Sequence, residues 1–373
     1  MSEPQPPDSD HVLPQAADEP LKSLPRRTLT VALSILPLIA LGNVAVLIYA
    51  LDGVDLSERV KQPELLWLVA LLVFVPMFAN SARLAIWSRF LEVPLGYRRS
   101  LKVITGTMIA NSVTPSSTGG LPIKLLFLMG AGVDSRRSVT LISFQAAEDT
   151  FMLFGMLALC LGVTGFALFD FIGSDAELLA RLDGSLRTVS FIILWVFIAI
   201  TLAIASIAAG LWGRRVRAWT KRMVTRLKHH AVQIAADWMS VFRRGKAYAL
   251  VCLGFAALQW VVRFSIAGLI LAAFGVEWQP ALFWLLQYVV QSLSSLVPTP
   301  GGAGGAEAAF LLLFAPFVAM GVLVPAMSTW RLLQFYLPLV GAALTFFVLH
   351  RRERRLAKAG NPLPPAAEAQ PAE

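Results

Sequence analysis

The feature that most constrains this chain is a series of long apolar stretches separated by short charged segments. A helix needs about 20 predominantly apolar residues to cross the hydrocarbon layer of a bilayer. Six uninterrupted stretches reach this length, at roughly 29–51, 65–88, 138–168, 188–212, 247–275 and 325–349. Charged residues make up only 15% of the chain, whereas soluble domains carry about 25%. The sequence therefore predicts an all-α polytopic membrane protein with about six full crossings.

The two ends of the chain differ in composition from this apolar region. The first 28 residues are polar and proline-rich, and the chain from about residue 359 is rich in proline and alanine. Such segments bury too little apolar surface to fold. We therefore predict a membrane domain over 29–350 between two disordered cytoplasmic tails, 1–28 and 351–373.

Cysteine and histidine, which hold many of the metals bound by proteins, are scarce in this sequence. The two cysteines cannot form a disulfide framework, and the four histidines lack metal-ligand spacing. The sequence contains no P-loop and no G-x-G-x-x-G, G-x-S-x-G or H-E-x-x-H motif. We therefore expect no metal, no cofactor and no enzymatic activity.

The distribution of charge predicts how the chain is oriented in the membrane. Basic clusters at 22–27, 89–102, 213–246 and 351–358 alternate with acidic segments at 52–64 and 170–183. The positive-inside rule then places both termini in the cytoplasm of a bacterial-type inner membrane. The net charge of +9 follows from this topology and from anionic headgroups. Nucleic-acid binding is not expected, and the tryptophan-bearing segment 213–246 is predicted to be a basic amphipathic helix on the inner surface.

Two further apolar stretches are interrupted by the same motif. Residues 114–120 and 299–305 both fit T-P-x-x-x-G-G. Each copy breaks an apolar stretch, the first within 100–133 and the second within 281–322. A single kinked crossing is the alternative interpretation, but a proline with several glycines in one short segment favours a turn.

The predicted topology makes these stretches re-entrant helical hairpins that enter from opposite faces. The first hairpin begins and ends among cytoplasmic basic residues, whereas the second must return to the outer side. The chain would then contain an inverted repeat, with one copy at about 65–168 and the other at about 247–350. Secondary transporters use this architecture, and their substrates bind near the midplane between broken helices.

The hairpin tips are the predicted substrate-binding site. A helix that starts at a tip points free N–H groups and its positive dipole end at the midplane, where they favour an anion, phosphate above all. The tip residues assigned to this site are Thr114, Pro115, Ser116, Ser117, Thr118, Gly119, Gly120, Pro300, Gly301, Gly302, Gly304 and Gly305.

Several ionisable residues are predicted at membrane depth, where a charge is a functional candidate. Lys124 lies one turn past the first tip, and Arg331 and Arg263 lie within predicted crossings, so all three are candidate phosphate ligands. Glu307 follows the second tip and can complement the helix dipole, pair with a cationic headgroup or carry a proton.

The adjacent carboxylates Glu148 and Asp149 have two interpretations. They either balance charge, as counter-ions for an arginine, or form a proton relay. Arg83, near the inner end of its crossing, is expected to extend its side chain to the membrane surface. Deep glutamines are expected to join helices to one another: Gln145, Gln259, Gln287 and Gln291.

These residues resemble those of a known family. The segment Asn111–Lys124, followed by Gly130-Ala131-Gly132 and Glu148-Asp149, is similar to the first half of the lysylphosphatidylglycerol synthase transmembrane family, a flippase-like domain. The segment Pro298–Glu307, followed by Arg331, is similar to its second half. The resemblance implies a polytopic inner-membrane protein associated with moving lipids between leaflets, including aminoacylated phosphatidylglycerol, polyprenyl-phosphate sugars and hopanoids.

The first motif departs from the family pattern. The family usually has an acidic residue after the glycines and an arginine three positions on, whereas this chain has Leu121 and Lys124. Where the family often has Glu-Arg, this chain has Glu148-Asp149. These differences imply a headgroup unlike that of the name-giving members, whose soluble aminoacyl-transfer domain has no counterpart in this sequence.

The hypothesis that unites these features is a flippase-like transporter of a phosphate-bearing phospho- or glycolipid. The alternatives are an intramembrane lipid-modifying transferase, a scaffold for lipid synthesis and a small-anion carrier. The expected partners are membrane lipids, with lipid-synthesis enzymes as further candidates.

Overall fold

The computed structural model describes residues 60–93, 95–114, 120–164, 232–297, 299 and 301–358, together with positions 41 and 45. Within these residues the chain is helical and contains no strand. The helices are α1 Pro63–Leu72, α2 Val75–Phe90, α3 Tyr97–Val113, α4 Gly120–Gly130, α5 Ser135–Thr164, α6 Lys246–Ala273, α7 Pro280–Leu296, α8 Gly305–Phe314, α9 Met320–Arg331 and α10 Leu337–Lys358. Residues 232–244 form a further helical segment. The prediction of an all-helical protein is confirmed for the described part.

Helices long and apolar enough to cross a membrane occur at four of the predicted places. They span Pro63–Phe90, Ser135–Val163, Lys246–Ala273 and Met320–Arg355. Large apolar side chains such as Trp67 and Phe154 remain exposed along them, as a lipid-facing surface requires. The other two predicted crossings, 29–51 and 188–212, lie outside the described residues.

Proline interrupts two of these long helical units. Pro76 lies in the first turn of α2, after a short break that separates α1 from α2. In the last unit, the π-helical turn Leu332–Tyr336 joins α9 to α10, and Pro338 follows it. Proline cannot donate an N–H to the preceding turn, which favours a local change of helical register.

The first broken stretch forms an antiparallel helix pair. Gly106 of α3 packs directly under the ring of Phe127 in α4, where an added β-carbon would come within 2.6 Å. Nearer the turn, Gly120 packs against the amide of Asn111. The Asn111–Gly120 contact lies next to the turn, and the Gly106–Phe127 contact lies farther from it. The two helices therefore run side by side as a hairpin.

The second broken stretch also folds back on itself. Val297, just after α7, packs against Gly305 at the start of α8. Further from the turn, the rings of Phe283 and Phe314 lie 5.7 Å apart. Both interrupted stretches therefore contain a helical hairpin.

The glycines of the second motif are required by the backbone of its turn. Gly301, Gly302 and Gly304 have φ values of 60°, 67° and 82°, a left-handed region that other residues rarely adopt. Thr299 Oγ1 donates a 2.8 Å hydrogen bond to the carbonyl of Ala303, which closes the loop. The corresponding tip of the first hairpin, Pro115 to Gly119, lies outside the described residues.

The order of helices repeats along the chain at a nearly constant spacing. Pairs of equivalent helices start at Pro63 and Lys246, at Tyr97 and Pro280, at Gly120 and Gly305, and at Ser135 and Met320. The separation is almost the same in every pair, and it matches the separation of the two sequence motifs at 114–120 and 299–305. This agreement supports an internal repeat. The domain boundaries and the inverted orientation of the copies stay predictions.

Candidate functional site

Arg83 of α2 is the centre of a buried ion cluster. Its side chain has no exposed surface, and its guanidinium lies 2.7 Å from carboxylate oxygens of both Glu148 and Asp149 in α5. Arg83 Nη2 also donates a 2.8 Å hydrogen bond to the carbonyl of Gln145. The expectation that Arg83 extends to the membrane surface is wrong, because two carboxylates on the neighbouring helix hold it inside the protein.

Aromatic N–H groups complete the hydrogen bonds of these carboxylates. Trp87 Nε1 donates to Glu148 at 2.6 Å, and Trp260 Nε1 donates to Asp149 at 3.0 Å. Removing one partner from a buried, satisfied pair leaves an uncompensated charge and costs about 3–5 kcal/mol. The cluster therefore fastens α2 and α6 to α5, and it uses the two carboxylates as counter-ions, one of their two predicted roles.

Lys124 of α4 is buried but lacks such a counter-ion. Its Nζ donates a 2.6 Å hydrogen bond to Oε1 of Gln145, whose Nε2 bonds in turn to Asn80 at 3.0 Å. Within the described part of the chain, no carboxylate forms an ion pair with this ammonium. A neutral glutamine thus holds the charge in place.

Arg263 of α6 is partly buried, and it too forms no ion pair with a carboxylate in the described part of the chain. Its Nη2 donates a 3.2 Å hydrogen bond to Gln291 of α7, and its guanidinium lies 5.6 Å from the centre of the Trp260 ring. Its Nε is buried and finds no acceptor among the described residues. A second cation is therefore held by a neutral amide, with one N–H directed at no protein group of the described chain.

Arg331 is engaged by the second hairpin. Its Nη2 donates a 2.8 Å hydrogen bond to the carbonyl of Gly301, and its Nε forms a 2.9 Å ion pair with Glu307, without the alignment of a hydrogen bond. The other oxygen of Glu307 accepts the N–H of Gly304 at 2.8 Å. The guanidinium also lies 4.2 Å from the centre of the Phe335 ring. Arg331 thus holds the glycine turn against α9.

Three adjacent cavities connect these groups. One of about 290 Å³ is lined by Lys124, one of about 140 Å³ is lined by Arg331, and a third of about 250 Å³ shares walls with both. Arg263 lines all three. The predicted phosphate ligands are therefore brought together along one continuous set of walls, with Arg263 at its centre.

Comparison with known proteins identifies the family. Residues 29–363 match the family described as the lysylphosphatidylglycerol synthase TM region. The chain belongs to this family. A "UPF0104 membrane protein" of Archaeoglobus fulgidus is 26% identical over 289 residues, which cover 72% of this chain and 83% of that relative. The resemblance seen in the sequence motifs is confirmed, and with it a multi-pass membrane location.

Among the described residues of this chain, the interior charges do not cancel. The described site contains four cations and three carboxylates: Arg83, Lys124, Arg263, Arg331, Glu148, Asp149 and Glu307. The carboxylates pair with Arg83 and Arg331, and the remaining two cations contact glutamines. The group thus carries one net positive charge in a low-dielectric interior, which favours binding of an anion.

The other predicted site residues have different places in the structure. Gly301 and Gly302 line the 140 Å³ cavity and Gly120 lines the 290 Å³ cavity. Gly304 and Gly305 start α8 without lining any of the three. Thr114 Oγ1 donates to the carbonyl of Ala110, within its own helix, at 2.9 Å. The remaining predicted residues lie outside the described part: Pro115, Ser116, Ser117, Thr118, Gly119 and Pro300.

Sequence reasoning missed Gln334, Phe335 and the indole donors of the ion cluster. Gln334 and Phe335 line both cavities on the Arg331 side. A signal for them exists, because they lie three and four residues after Arg331 and thus on the same face of a helix. Trp87 and Trp260 carried no such signal, since tryptophans in apolar stretches usually face lipid.

Proposed function

We propose that this protein moves a phosphate-bearing phospho- or glycolipid between the leaflets of a bacterial-type inner membrane. The observation that carries the proposal is the pair of cations, Lys124 and Arg263. Both line adjoining cavities, and among the described residues their side-chain hydrogen bonds go to neutral glutamines and neither forms an ion pair. Buried charges in proteins are almost always paired. A phosphate supplies the missing counter-charge, with several oxygens that accept charge-assisted hydrogen bonds.

The lining of the cavities suits an amphiphile. In the 250 Å³ cavity, the amides of Asn111 and Gln334 share the walls with apolar side chains such as Ile266 and Leu339. A lipid headgroup that crosses the membrane needs a polar path, while its chains stay in contact with apolar surface. A free anion gains no binding energy from contact with the apolar part of this lining.

The repeated hairpins support a transport mechanism. In the proposed topology, the α3–α4 hairpin enters from the cytoplasm and the α7–α8 hairpin enters from the outer side, with both termini cytoplasmic. The N-termini of α4 and α8 then lie near the midplane and add their dipoles to the anion site. Rocking of one repeat against the other opens the site to each leaflet in turn.

Transport in liposomes tests this proposal. The purified chain is reconstituted into liposomes with fluorescent phosphatidylglycerol, and the lipid that reaches the outer leaflet is quenched by dithionite. Lys124→Met and Arg263→Met should each slow translocation by about tenfold or more, because each removes a charge-assisted hydrogen bond to phosphate. The matched controls are Lys102→Met and Arg136→Met, whose parent side chains pair with Glu353 and Asp237 away from the cavities.

The outcomes separate the alternatives. Translocation no faster than in protein-free liposomes, or unaffected by both cavity variants, contradicts the proposal. Export of inorganic phosphate without lipid movement favours the small-anion carrier instead. A change in lipid mass after incubation favours the lipid-modifying transferase.

A further inference from the structure

The helix formed by residues 232–244 lies outside the two hairpins and has one exposed face. Val232, Met239 and Phe242 are 70%, 53% and 64% exposed, and their spacing places them on one side of the helix. The exposed cations Arg243 and Lys246 continue the same side, one and two turns after Met239. These five residues form what we call the surface face. A row of apolar side chains that ends in cations is typical of a helix that lies on a membrane surface.

The opposite side of this helix is docked on the helix bundle. Asp237 pairs with Arg136 of α5 at 2.8 Å, and Trp238 Nε1 donates a 3.2 Å hydrogen bond to Ser143, two turns further along α5. The chain just after the helix packs against the ring of Phe90, the last residue of α2. The helix therefore crosses from α5 to the end of α2 instead of extending either one.

The surface face lies at the boundary of the lipid-exposed part of the protein. The crossing helix α6 begins at Lys246, directly after the 232–244 helix and Gly245. Its first exposed large apolar side chain is Leu250, four residues and about 6 Å further along the helix. Arginine and lysine avoid the hydrocarbon layer, so Arg243 and Lys246 mark the level of the headgroups. The apolar side chains of the surface face are thus continuous with the lipid-facing surface of α6.

We infer that the surface face binds the anionic surface of the bilayer. Its apolar side chains lie at the boundary between headgroups and acyl chains, and its two cations contact anionic headgroups. The one carboxylate within residues 232–246, Asp237, is held on the docked side by Arg136, so no acidic side chain of this segment opposes such a surface. Negative charge is the only property of the headgroup that this contact requires, and the cavities take no part in it.

Hydrogen–deuterium exchange of the full-length protein in nanodiscs tests this inference. Exchange of the amides of 232–244 is compared in phosphatidylcholine alone and in equal parts of phosphatidylcholine and phosphatidylglycerol. Each cation near an anionic surface favours contact by about fivefold, so the two cations of the surface face should slow exchange by about ten- to thirtyfold. Residues 274–279, which follow the other end of α6, are the internal reference and should not change. Sulfoquinovosyl diacylglycerol, an anionic lipid without phosphate, should act like phosphatidylglycerol.

Matched variants test the two components of the surface face. The double variant Arg243→Gln, Lys246→Gln should lose most of the slowing that anionic lipid causes. Its control, Arg351→Gln, Arg352→Gln, removes the same charge from exposed side chains of α10 and should keep the slowing. Phe242→Gln should speed exchange of the segment in both kinds of nanodisc, because it removes an apolar contact with lipid. The comparison of lipids on the wild type needs no variant and stands even if one of these does not fold.

Several results would overturn the inference. Equal exchange of 232–244 in neutral and anionic nanodiscs excludes contact with surface charge, and an acidic protein partner would then fit this face better. Slowing by phosphatidylglycerol but not by the phosphate-free lipid assigns the effect to a phosphate site elsewhere in the protein. Slowing that is lost equally in both double variants assigns it to the total charge of the protein. Lipid translocation enters none of these measurements, so the inference and the proposed function stand or fall separately.

Discussion

Replacement of Arg83 by methionine should strongly destabilise the fold. Arg83 is completely buried and lies 2.7 Å from both Glu148 and Asp149. Met fills much of the same volume but leaves two carboxylates facing each other inside the protein. Removal of one partner from a buried ion pair costs about 3–5 kcal/mol, and the second carboxylate places the expected loss at the upper end of that range.

A neutralised cluster separates charge from packing. In the triple variant Arg83→Met, Glu148→Gln, Asp149→Asn, no charge of the cluster itself is left without a partner, so part of the lost stability should return. The rest should not return, because the cluster's surplus negative charge no longer offsets the charges of Lys124 and Arg263. The control is Arg136→Met. That residue pairs with Asp237 at 2.8 Å, but both side chains are partly exposed, and such pairs contribute only about 0–1 kcal/mol.

Equilibrium unfolding measures these differences. Each variant is unfolded in mixed micelles by an increasing fraction of sodium dodecyl sulfate, with circular dichroism as the readout for helix content. The free energy of unfolding should be highest for the wild type and should decrease through Arg136→Met and the triple variant to Arg83→Met. If Arg83→Met costs no more than Arg136→Met, or if the triple variant is less stable than Arg83→Met, the argument from buried charge is wrong.

Further predictions concern the glycine turn and the indole donors. Gly302→Ala should cost about 1–3 kcal/mol, since its φ of 67° is strained for alanine, whereas Gly155→Ala in open space on α5 should stabilise by about 0.5–1 kcal/mol; unfolding of both variants measures the contrast. Trp87→Phe should cost about 1–3 kcal/mol by leaving a Glu148 oxygen without its donor, and Phe substitution of an exposed indole, Trp67, should not. Glu307→Gln should slow lipid translocation in liposomes, because it removes the charge that holds Arg331 against the turn; an unchanged rate would contradict that role.

Local features of the sequence predicted the secondary structure well. The long apolar stretches predicted four helical units that the structure contains, because the length needed to cross a bilayer is a property of each segment alone. The interruption at 299–305 was also predictable, since proline restricts the backbone and glycine permits conformations that other residues rarely adopt, wherever they occur. The repeat followed from the spacing of two such motifs and needed no tertiary information.

Sequence alone could not predict which charges meet. Arg83 was expected at the surface because it lies near the end of its helix, yet Glu148, 65 residues later in the chain, holds it inside. Arg263 gave no sign of its central position, which arises because its side chain lines all three cavities. Both outcomes depend on how helices rotate and pack.

One physical reason separates the features that the sequence predicts from those that only the tertiary structure decides. Hydrophobic length and turn chemistry are determined by residues close together along the chain, and the repeat is visible in the positions of two such turns, so the sequence alone predicted a helical membrane protein with two hairpins. The one net positive charge of the described site is a sum over side chains from several helices. Electrostatic energy in a low-dielectric interior depends on distances between those side chains, and only the tertiary structure sets these distances.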